Sequence, residues 1–197
     1  MAIRGEAHLS TEGLLAAYAA GFFPMAESKN GLISWFSPDP RCILPLVEFR
    51  VPRSLRKVID RSVFSITVDQ RFPSVIQLCA DRSETWISDE IVRAYTVLHE
   101  QGFAHSVEAW LKGELVGGLY GVAIRGAFFG ESMFTRVSDA SKVCLVFLVR
   151  HLIERGYTLL DSQIINDHVR QFGAVEVSRE EYLRLLATAL EYDASFW

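Results

Sequence analysis

The stretch HSVEAWLKGELVGGLYGVAIRGAFFGESMF, residues 105–134, decides the fold of this chain. It contains three apolar runs of strand length, which span residues 105–111, 114–124 and 127–134. Only Lys112-Gly113 and Arg125-Gly126 separate these runs, and two-residue connections that contain glycine are typical of β-hairpins. The stretch therefore predicts a three-stranded antiparallel meander.

The segments on either side of the meander predict a sheet that is covered by helices. They comprise a strand at 64–68, helices at 72–80 and 88–102, a long apolar helix capped by Ser138, a buried strand at 158–163 and a last helix opened by Ser178. This order predicts the α+β class (mixed α/β), with a mixed, largely antiparallel sheet flanked by helices. It also resembles the order of elements in the N-acetyltransferase superfamily.

The N-terminal part of the chain is predicted to be a small separate domain. Ser10 opens a helix that Gly21 ends, and residues 22–41, with three prolines, predict an irregular, aromatic-rich loop. We therefore expect a small N-terminal domain at 1–60, with the aromatic loop and a basic stripe, and an acetyltransferase-like catalytic domain at 61–197.

The composition excludes several classes of protein. Half of the 197 residues are hydrophobic, which argues against disorder, and no apolar run reaches the ~20 residues of a membrane span. No secretory leader is evident. The three cysteines are odd in number and far apart, which argues against a disulfide framework or a zinc site and predicts a protein of the reducing cytoplasm.

The net charge of −4 conceals a basic stripe. Residues 41–61 hold six cations and two anions, a net +4, so the remaining residues together carry −8. The cations are Arg41, Arg50, Arg53, Arg56, Lys57 and Arg61. A stripe of this kind can steer a polyanion such as RNA to one face of a protein. The alternative is a solvated linker with ordinary surface charges.

Two carboxylates in apolar surroundings are the candidates for chemistry. Residues i and i+2 of a strand share a face, so Asp161 and Gln163 are predicted to project together. Glu131 is predicted to share a face with Phe129 and Met133 on the third meander strand. The opposite face is predicted to hold Phe128, Ser132 and Phe134. If the two strands are neighbours, the three polar groups converge; otherwise each acid is a satisfied structural group, because burying an unpaired acid is costly.

Other candidates are less specific. His105 and His168 are possible acid–base groups, and Trp35 and Trp86 are either packing anchors or platforms on which a base stacks. The chain lacks a G-x-S-x-G turn, a P-loop and a G-x-G-x-x-G fingerprint, which excludes the usual hydrolase and nucleotide-binding signatures.

Nine sequence blocks, in order and over almost the whole chain, resemble the bacterial leucyl/phenylalanyl-tRNA–protein transferases. Each block is weak alone, but the series is specific to this family. The blocks are Gly21-Phe-Phe-Pro24, Trp35-Phe-Ser-Pro-Asp-Pro-Arg41, Thr85-Trp-Ile87, Ala104-His-Ser-Val-Glu108, Leu115-Val-Gly-Gly-Leu-Tyr-Gly121, Phe129-Gly-Glu-Ser-Met-Phe134, Ala140-Ser-Lys142, Asp161-Ser-Gln163 and Phe172-Gly-Ala174.

The resemblance implies a specific reaction. The family transfers leucine or phenylalanine from aminoacyl-tRNA to the N-terminal amine of proteins that begin with arginine or lysine, and so marks them for degradation. An apolar slot for these side chains would also accept methionine. The reaction is aminolysis of an activated ester and needs neither ATP nor metal. The partners would be the 3′ ends of leucyl-tRNA and phenylalanyl-tRNA and the acceptor proteins. The chain is expected to act as a monomer.

The resemblance also implies roles for individual residues. Asp161 and Gln163 match the reaction centre, where Asp161 would be either a general base or an orienting group, and Glu131 matches an acid of the same site. The substrate-binding positions are Trp86 near the terminal adenosine, Trp35, Phe128, Phe129, Ser132 and Met133, beside the apolar helix 143–149. The cations expected to contact tRNA phosphates are Arg41, Arg53, Arg56 and Lys57. Met25 departs from the tryptophan that some relatives have.

Two alternative functions remain open at this point. An acyl-CoA-dependent N-acetyltransferase fits the order of elements, but it needs a glycine-rich turn where residues 135–139 contain no glycine. A non-catalytic binding module for basic N-termini or RNA would leave Asp161 and Gln163 without a task. Turnover distinguishes both alternatives from the transferase.

Overall fold

The computed structural model describes residues 2–4, 9–29 and 31–197. In these residues the chain forms seven helices and ten strands. The helices are α1 (Thr11–Ala19), α2 (Arg53–Asp60), α3 (Phe72–Ala80), α4 (Asp89–Glu100), α5 (Ala140–Glu154), α6 (Asp167–Arg170) and α7 (Arg179–Ala189). The strands are β1 (Ala2–Arg4), β2 (Phe23–Ala26), β3 (Ile33–Phe36), β4 (Arg41–Ile43), β5 (Ser65–Val68), β6 (Ala104–Leu111), β7 (Glu114–Ile124), β8 (Ala127–Thr135), β9 (Leu159–Gln163) and β10 (Val175–Val177).

The strands form one small and one large sheet. The small sheet is antiparallel in the order β1-β3-β2, and the large sheet has the order β10-β4-β9-β8-β7-β6-β5. The predicted meander is β6, β7 and β8, which pair antiparallel in sequence order. In the large sheet the pair β8 and β9 is parallel, whereas the other described pairs are antiparallel. The predicted α+β class, with a mixed and largely antiparallel sheet, is confirmed.

Local capping signals place most helix starts. The side chains of Ser10, Ser88 and Ser178 each accept a hydrogen bond from a backbone N–H in the first turn of α1, α4 and α7, as the sequence predicts. The prediction that Ser138 caps α5 is wrong. The capping position is Asp139, which has a positive φ of 70° and makes no side-chain capping bond.

Residues 22–41 are more regular than predicted. They contain β2 and β3 and lead into β4. Pro24 is compatible with β2 because this strand pairs only with β3 and lies at the edge of the small sheet, where a missing N–H breaks no ladder bond. The prediction of an irregular loop is therefore wrong for the strand residues of this segment, which are nine of its 20 residues.

The large sheet crosses the predicted boundary at residue 60. β4 comes from the first 60 residues, yet it lies between β9 and β10, two strands of the C-terminal part. The limits 1–60 and 61–197 thus stay a prediction about separate folding units, while the sheet itself draws on both segments.

Two apolar clusters cover the two faces of the large sheet. One cluster includes buried side chains of α1, α3, α4 and α7, and the other includes those of α2 and α5. Gly117 of β7 lets α5 approach closely, because a Cβ atom built there would lie 2.5 Å from the Cβ of Ala140. The absence of a side chain at Gly117 therefore permits the close contact between β7 and α5.

Candidate functional site

A β-bulge in β8 sets the direction of the candidate acid Glu131. Gly121 of β7 pairs with Gly130, and Tyr120 pairs with Ser132, so Glu131 is the extra residue between them. A bulge shifts the alternation of side chains by one position. Phe134 therefore joins Phe129 in the cluster with α3 and α4, whereas Met133 packs against the α5 cluster together with Phe128.

The predicted distribution of side chains over the two faces of β8 is therefore wrong beyond the bulge. Met133 does not share a face with Phe129, and Phe134 does not share one with Phe128. Ser132 contacts Arg82, which follows α3, because its hydroxyl accepts a hydrogen bond of 3.0 Å from Nη2. The same guanidinium donates to the carbonyl of Met133 at 2.5 Å.

A cavity opens where β8 and β9 part. Their parallel pairing ends at Phe129 and Asp161, whereas β8 continues to Thr135. The cavity has a volume of about 530 Å³. One part of its wall is aliphatic, formed by Leu44, Leu119, Leu145, Leu148, Leu160 and Val169 with Met133. The rest is polar or aromatic and includes Arg82, Trp86, Tyr120, Glu131, Ser132, Ser141, Asn166 and His168.

Asp161 lies at the base of the cavity with both carboxylate oxygens engaged. Arg41 donates from Nε to Oδ1 at 2.9 Å and from Nη2 to Oδ2 at 2.6 Å. Tyr182 donates its hydroxyl to Oδ2 at 2.7 Å, and the backbone N–H of Gln163 donates to Oδ1 at 2.8 Å. Both partners of the ion pair are fully buried. The carboxylate is thus paired in the way that a buried charge requires.

Arg41 is not a surface cation, so the prediction that it contacts tRNA phosphates is wrong. Besides Asp161, its guanidinium donates to the carbonyl of Gly21 at 3.2 Å. It also lies between the rings of Phe23, at 4.7 Å, and Tyr182, at 4.4 Å. Its charge holds β4 to β9 and does not reach a polyanion. The other three predicted cations, Arg53, Arg56 and Lys57, are exposed on α2.

Glu131 meets Gln163 above this ion pair, as the convergence of the two strands predicts. Gln163 donates from Nε2 to Oε1 of Glu131 at 2.7 Å, and Tyr18 donates to the same oxygen at 2.6 Å. Oε2 is buried and has no partner among the described residues. Burial raises the pKa of Glu131 to about 8, with the charge of Asp161 acting in the same direction and the bonds from Tyr18 and Gln163 opposing it.

The predicted substrate-binding residues divide into two groups. Trp86, Ser132 and Met133 line the cavity, and Trp86 is held by a 3.0 Å bond from the N–H of Ala26 in β2 to its carbonyl. Three other residues do not belong to the cavity wall as described: Phe128, Phe129 and Trp35. Phe128 and Phe129 are fully buried in the two apolar clusters, and Trp35 packs in the small sheet.

Several site residues were not predicted from the sequence. Tyr18 and Tyr95 bond to each other through their hydroxyls behind Glu131, and Tyr182 completes the Asp161 network. Their only sequence signal is that a buried tyrosine needs a partner for its hydroxyl. No feature of the sequence predicted that Arg82 and Tyr120 line the cavity.

The two candidate histidines have different surroundings. His168 lines the cavity, and its Nε2 is buried without a partner in the described ranges; burial and the nearby charge of Lys142 lower its pKa. His105 instead bonds Asp69 at 2.7 Å and is not a cavity residue. Within residues 9–29 and 31–197, no group of three or more His, Cys, Asp or Glu side chains could hold a metal ion. In the described part of the chain, no helix is both long and apolar enough to cross a membrane.

Two patterns of one protein family match most of this chain. The pattern of the leucyl/phenylalanyl-tRNA protein transferase family matches residues 43–187, and that of its N-terminal domain matches residues 7–39. The chain is thus an enzyme, a transferase that uses aminoacyl-tRNA and protein substrates. It belongs to the leucyl/phenylalanyl-tRNA–protein transferase family.

Individual relatives agree over nearly the whole chain. The leucyl/phenylalanyl-tRNA–protein transferase of Salinibacter ruber is 51% identical over 189 residues, which is 96% of this chain and 84% of the relative. That of Rubrobacter xylanophilus is also 51% identical and covers 95% of this chain and 98% of the relative. Among solved structures, L-PGS from Bacillus licheniformis is similar at a TM-score of 0.44 and 15% identity, over 80% of this chain and 52% of that one.

Proposed function

We propose that this chain transfers leucine or phenylalanine, with methionine as a further donor, from aminoacyl-tRNA to the N-terminal α-amine of proteins that begin with arginine or lysine. The product would be marked for degradation. One observation carries the proposal beyond family membership: a single cavity combines an aliphatic wall with a buried carboxyl oxygen, Oε2 of Glu131, that has no partner among the described residues.

The aliphatic wall suits the side chain of the donor. Leu119, Leu145, Leu148 and Leu160, with Met133, offer apolar surface, and a cavity of about 530 Å³ has room for a phenylalanyl group beside the reacting ester. A wall of this kind distinguishes leucine from phenylalanine or methionine weakly, because one methylene is worth only ~1–3 kcal/mol. Charged donors would lose hydration without gaining a partner.

The polar groups suit aminolysis of the ester. An α-amine has a pKa of about 8, so it must lose a proton before or during attack. We propose that Glu131 accepts this proton. Its pKa of about 8 matches that of the amine, and its Oε2 has no hydrogen-bond partner among the described residues. Asp161 is assigned an orienting role, because both of its oxygens already accept hydrogen bonds and one of them holds the backbone of Gln163. Gln163 in turn positions Glu131.

A basic acceptor is compatible with the same acid. An approaching cation favours the ionised form of a nearby carboxyl group and lowers its pKa, so Glu131 would become charged when the acceptor enters. For the donor, we propose that Trp86 stacks near the terminal adenosine and that Arg53, Arg56 and Lys57 contact phosphates farther along the tRNA. Trp35 would support this region from the small sheet.

The proposal is tested by following radiolabelled leucine from leucyl-tRNA onto a peptide that begins with arginine, beside an otherwise identical peptide that begins with glutamate. Label on the arginine peptide alone is expected. Label on the glutamate peptide would retain the transferase and overturn the acceptor class. Label on neither, with phenylalanyl-tRNA also inactive, would favour the acyl-CoA-dependent acetyltransferase if acetyl-CoA is consumed, and a binding module if it is not.

A further inference from the structure

Three unpartnered polar atoms lie in residues of the same cavity. In the described part of the chain, five buried side-chain atoms lack a hydrogen-bond partner, and three of them belong to cavity residues: Oε2 of Glu131, the hydroxyl of Tyr120 and Nε2 of His168. Buried polar groups are nearly always hydrogen-bonded in proteins, and a buried tyrosine usually finds a partner for its hydroxyl. The concentration of exceptions in one cavity indicates that a polar ligand completes these bonds.

Tyr120 is held rigidly beside Glu131. It lies on β7 directly opposite Ser132, the residue that follows the bulge, and is fully buried. Its ring makes edge contacts with Phe72, at 5.8 Å between centroids, and with Tyr95, at 5.9 Å. The charge of Glu131 acts on its hydroxyl, and burial raises its pKa well above the usual 10, so the group keeps its proton at neutral pH. The cavity therefore holds a fixed O–H donor close to the carboxyl group of Glu131.

We propose that the hydroxyl of Tyr120 is a catalytic hydrogen-bond donor that stabilises the negative charge on the ester carbonyl oxygen during aminoacyl transfer. This inference rests on the proposed function. The reaction needs an acceptor for the proton of the amine and a donor for the carbonyl oxygen. Once the incoming cation has ionised Glu131, its Oε2 is an unpartnered acceptor and Tyr120 is an unpartnered donor in the same cavity, and together they match these two needs.

Aminoacyl transfer passes through a tetrahedral intermediate. The nitrogen of the acceptor amine forms a bond to the ester carbon, and the π electron pair of the carbonyl moves to its oxygen, which then accepts the hydrogen bond from Tyr120 without taking its proton. Collapse of this intermediate breaks the bond to the ribose oxygen. The proton that leaves the amine, through Glu131, equals the proton that the ribose oxygen gains. The products are an amide and a free ribose hydroxyl.

Several other donors near the cavity already have partners. The side-chain amide of Gln163 donates to Glu131, and Arg82 donates to Ser132 and to the carbonyl of Met133. The hydroxyls of Tyr18 and Tyr95 bond each other. Tyr120 is the buried hydroxyl of the cavity wall that has no partner among the described residues.

The test is Tyr120→Phe, which removes one oxygen and keeps the ring. Single-turnover transfer from saturating leucyl-tRNA to an arginine peptide is expected to slow about 10²–10³-fold, the usual cost of losing one such donor, with the Kd of leucyl-tRNA unchanged. A rate within about threefold of wild type would overturn the role. A weaker Kd with an unchanged rate at saturation would also overturn it, because the hydroxyl would then act in binding alone.

Stability gives a second, independent measurement. Because the hydroxyl is buried without a partner, its removal should leave the Tm of the ligand-free protein equal to or above that of wild type. A fall of several degrees would show that the hydroxyl has a protein partner and would overturn the proposal. The matched control is Tyr157→Phe, a buried tyrosine of the α5 cluster that does not line the cavity, and it should keep the wild-type rate. Inactive wild-type protein would instead refute the proposed function itself.

Discussion

Arg41→Met should destabilise the protein strongly, although arginine to methionine keeps much of the side-chain volume. The substitution leaves Asp161 buried with its bond from Tyr182 but without a counter-charge. Breaking a buried ion pair by removing one partner costs about 3–5 kcal/mol. At about 2.1 cal/mol/K per residue, the unfolding entropy of 197 residues is about 0.4 kcal/mol/K, so the Tm should fall by about 7–12 °C.

The assay is thermal unfolding followed by circular dichroism at neutral pH, for wild type and three variants. Arg184→Met removes an exposed ion pair with Glu181 and should leave the Tm unchanged. The double substitution Arg41→Met with Asp161→Leu removes both buried charges and should recover about half of the loss or more. If Arg41→Met lowers the Tm by less than about 2 °C, the buried pair does not hold β4 to β9 and the reasoning fails.

The ion pair between Arg41 and Asp161 affects how the activity of the Asp161→Ala variant is interpreted. That substitution should lower transfer strongly, but it also leaves the buried guanidinium of Arg41 unpaired. A loss of activity is therefore informative about the reaction only if the variant is folded at the assay temperature. The Tm of Asp161→Ala has to be measured beside its transfer rate and its affinity for tRNA.

Two further predictions concern the acid and the basic helix. The pKa of Glu131 is about 8 in the folded protein and about 4.3 in the unfolded chain. Between about pH 4.3 and about pH 8 the folded state therefore binds the extra proton, and the free energy of unfolding decreases as the pH rises through this range. Urea unfolding across this range should show that loss in wild type and a flatter profile in Glu131→Gln; equal profiles would refute the raised pKa. Neutralising Arg53, Arg56 and Lys57 together, on one face of α2, should weaken tRNA binding and reduce the slope of log K against log[salt] by about 2–3. An unchanged slope would remove α2 from the tRNA-binding surface.

Local signals in the sequence determined most of the regular elements. The bounds of α3 follow from its pattern, the three serine caps place α1, α4 and α7, and the glycine-containing connections place the meander. These features depend on residues a few positions apart, so they are visible without the fold. The same holds for the neighbouring positions of Asp161 and Gln163 on one short strand.

Tertiary structure alone decided how the site is assembled. Arg41 and Asp161 are 120 positions apart, and nothing local distinguishes Arg41 from the exposed cations of α2. β4 forms because β9 and β10, far along the chain, supply its partners, and β3 pairs with β1 as well as with β2; the prolines in this segment therefore led to a wrong prediction. The bulge at Glu131 depends on the register of β7 against β8, which a sequence does not specify. That single extra residue selects which side chains of β8 face the cavity. The sequence therefore determined the chemical groups of the site, whereas packing between distant elements decided their geometry.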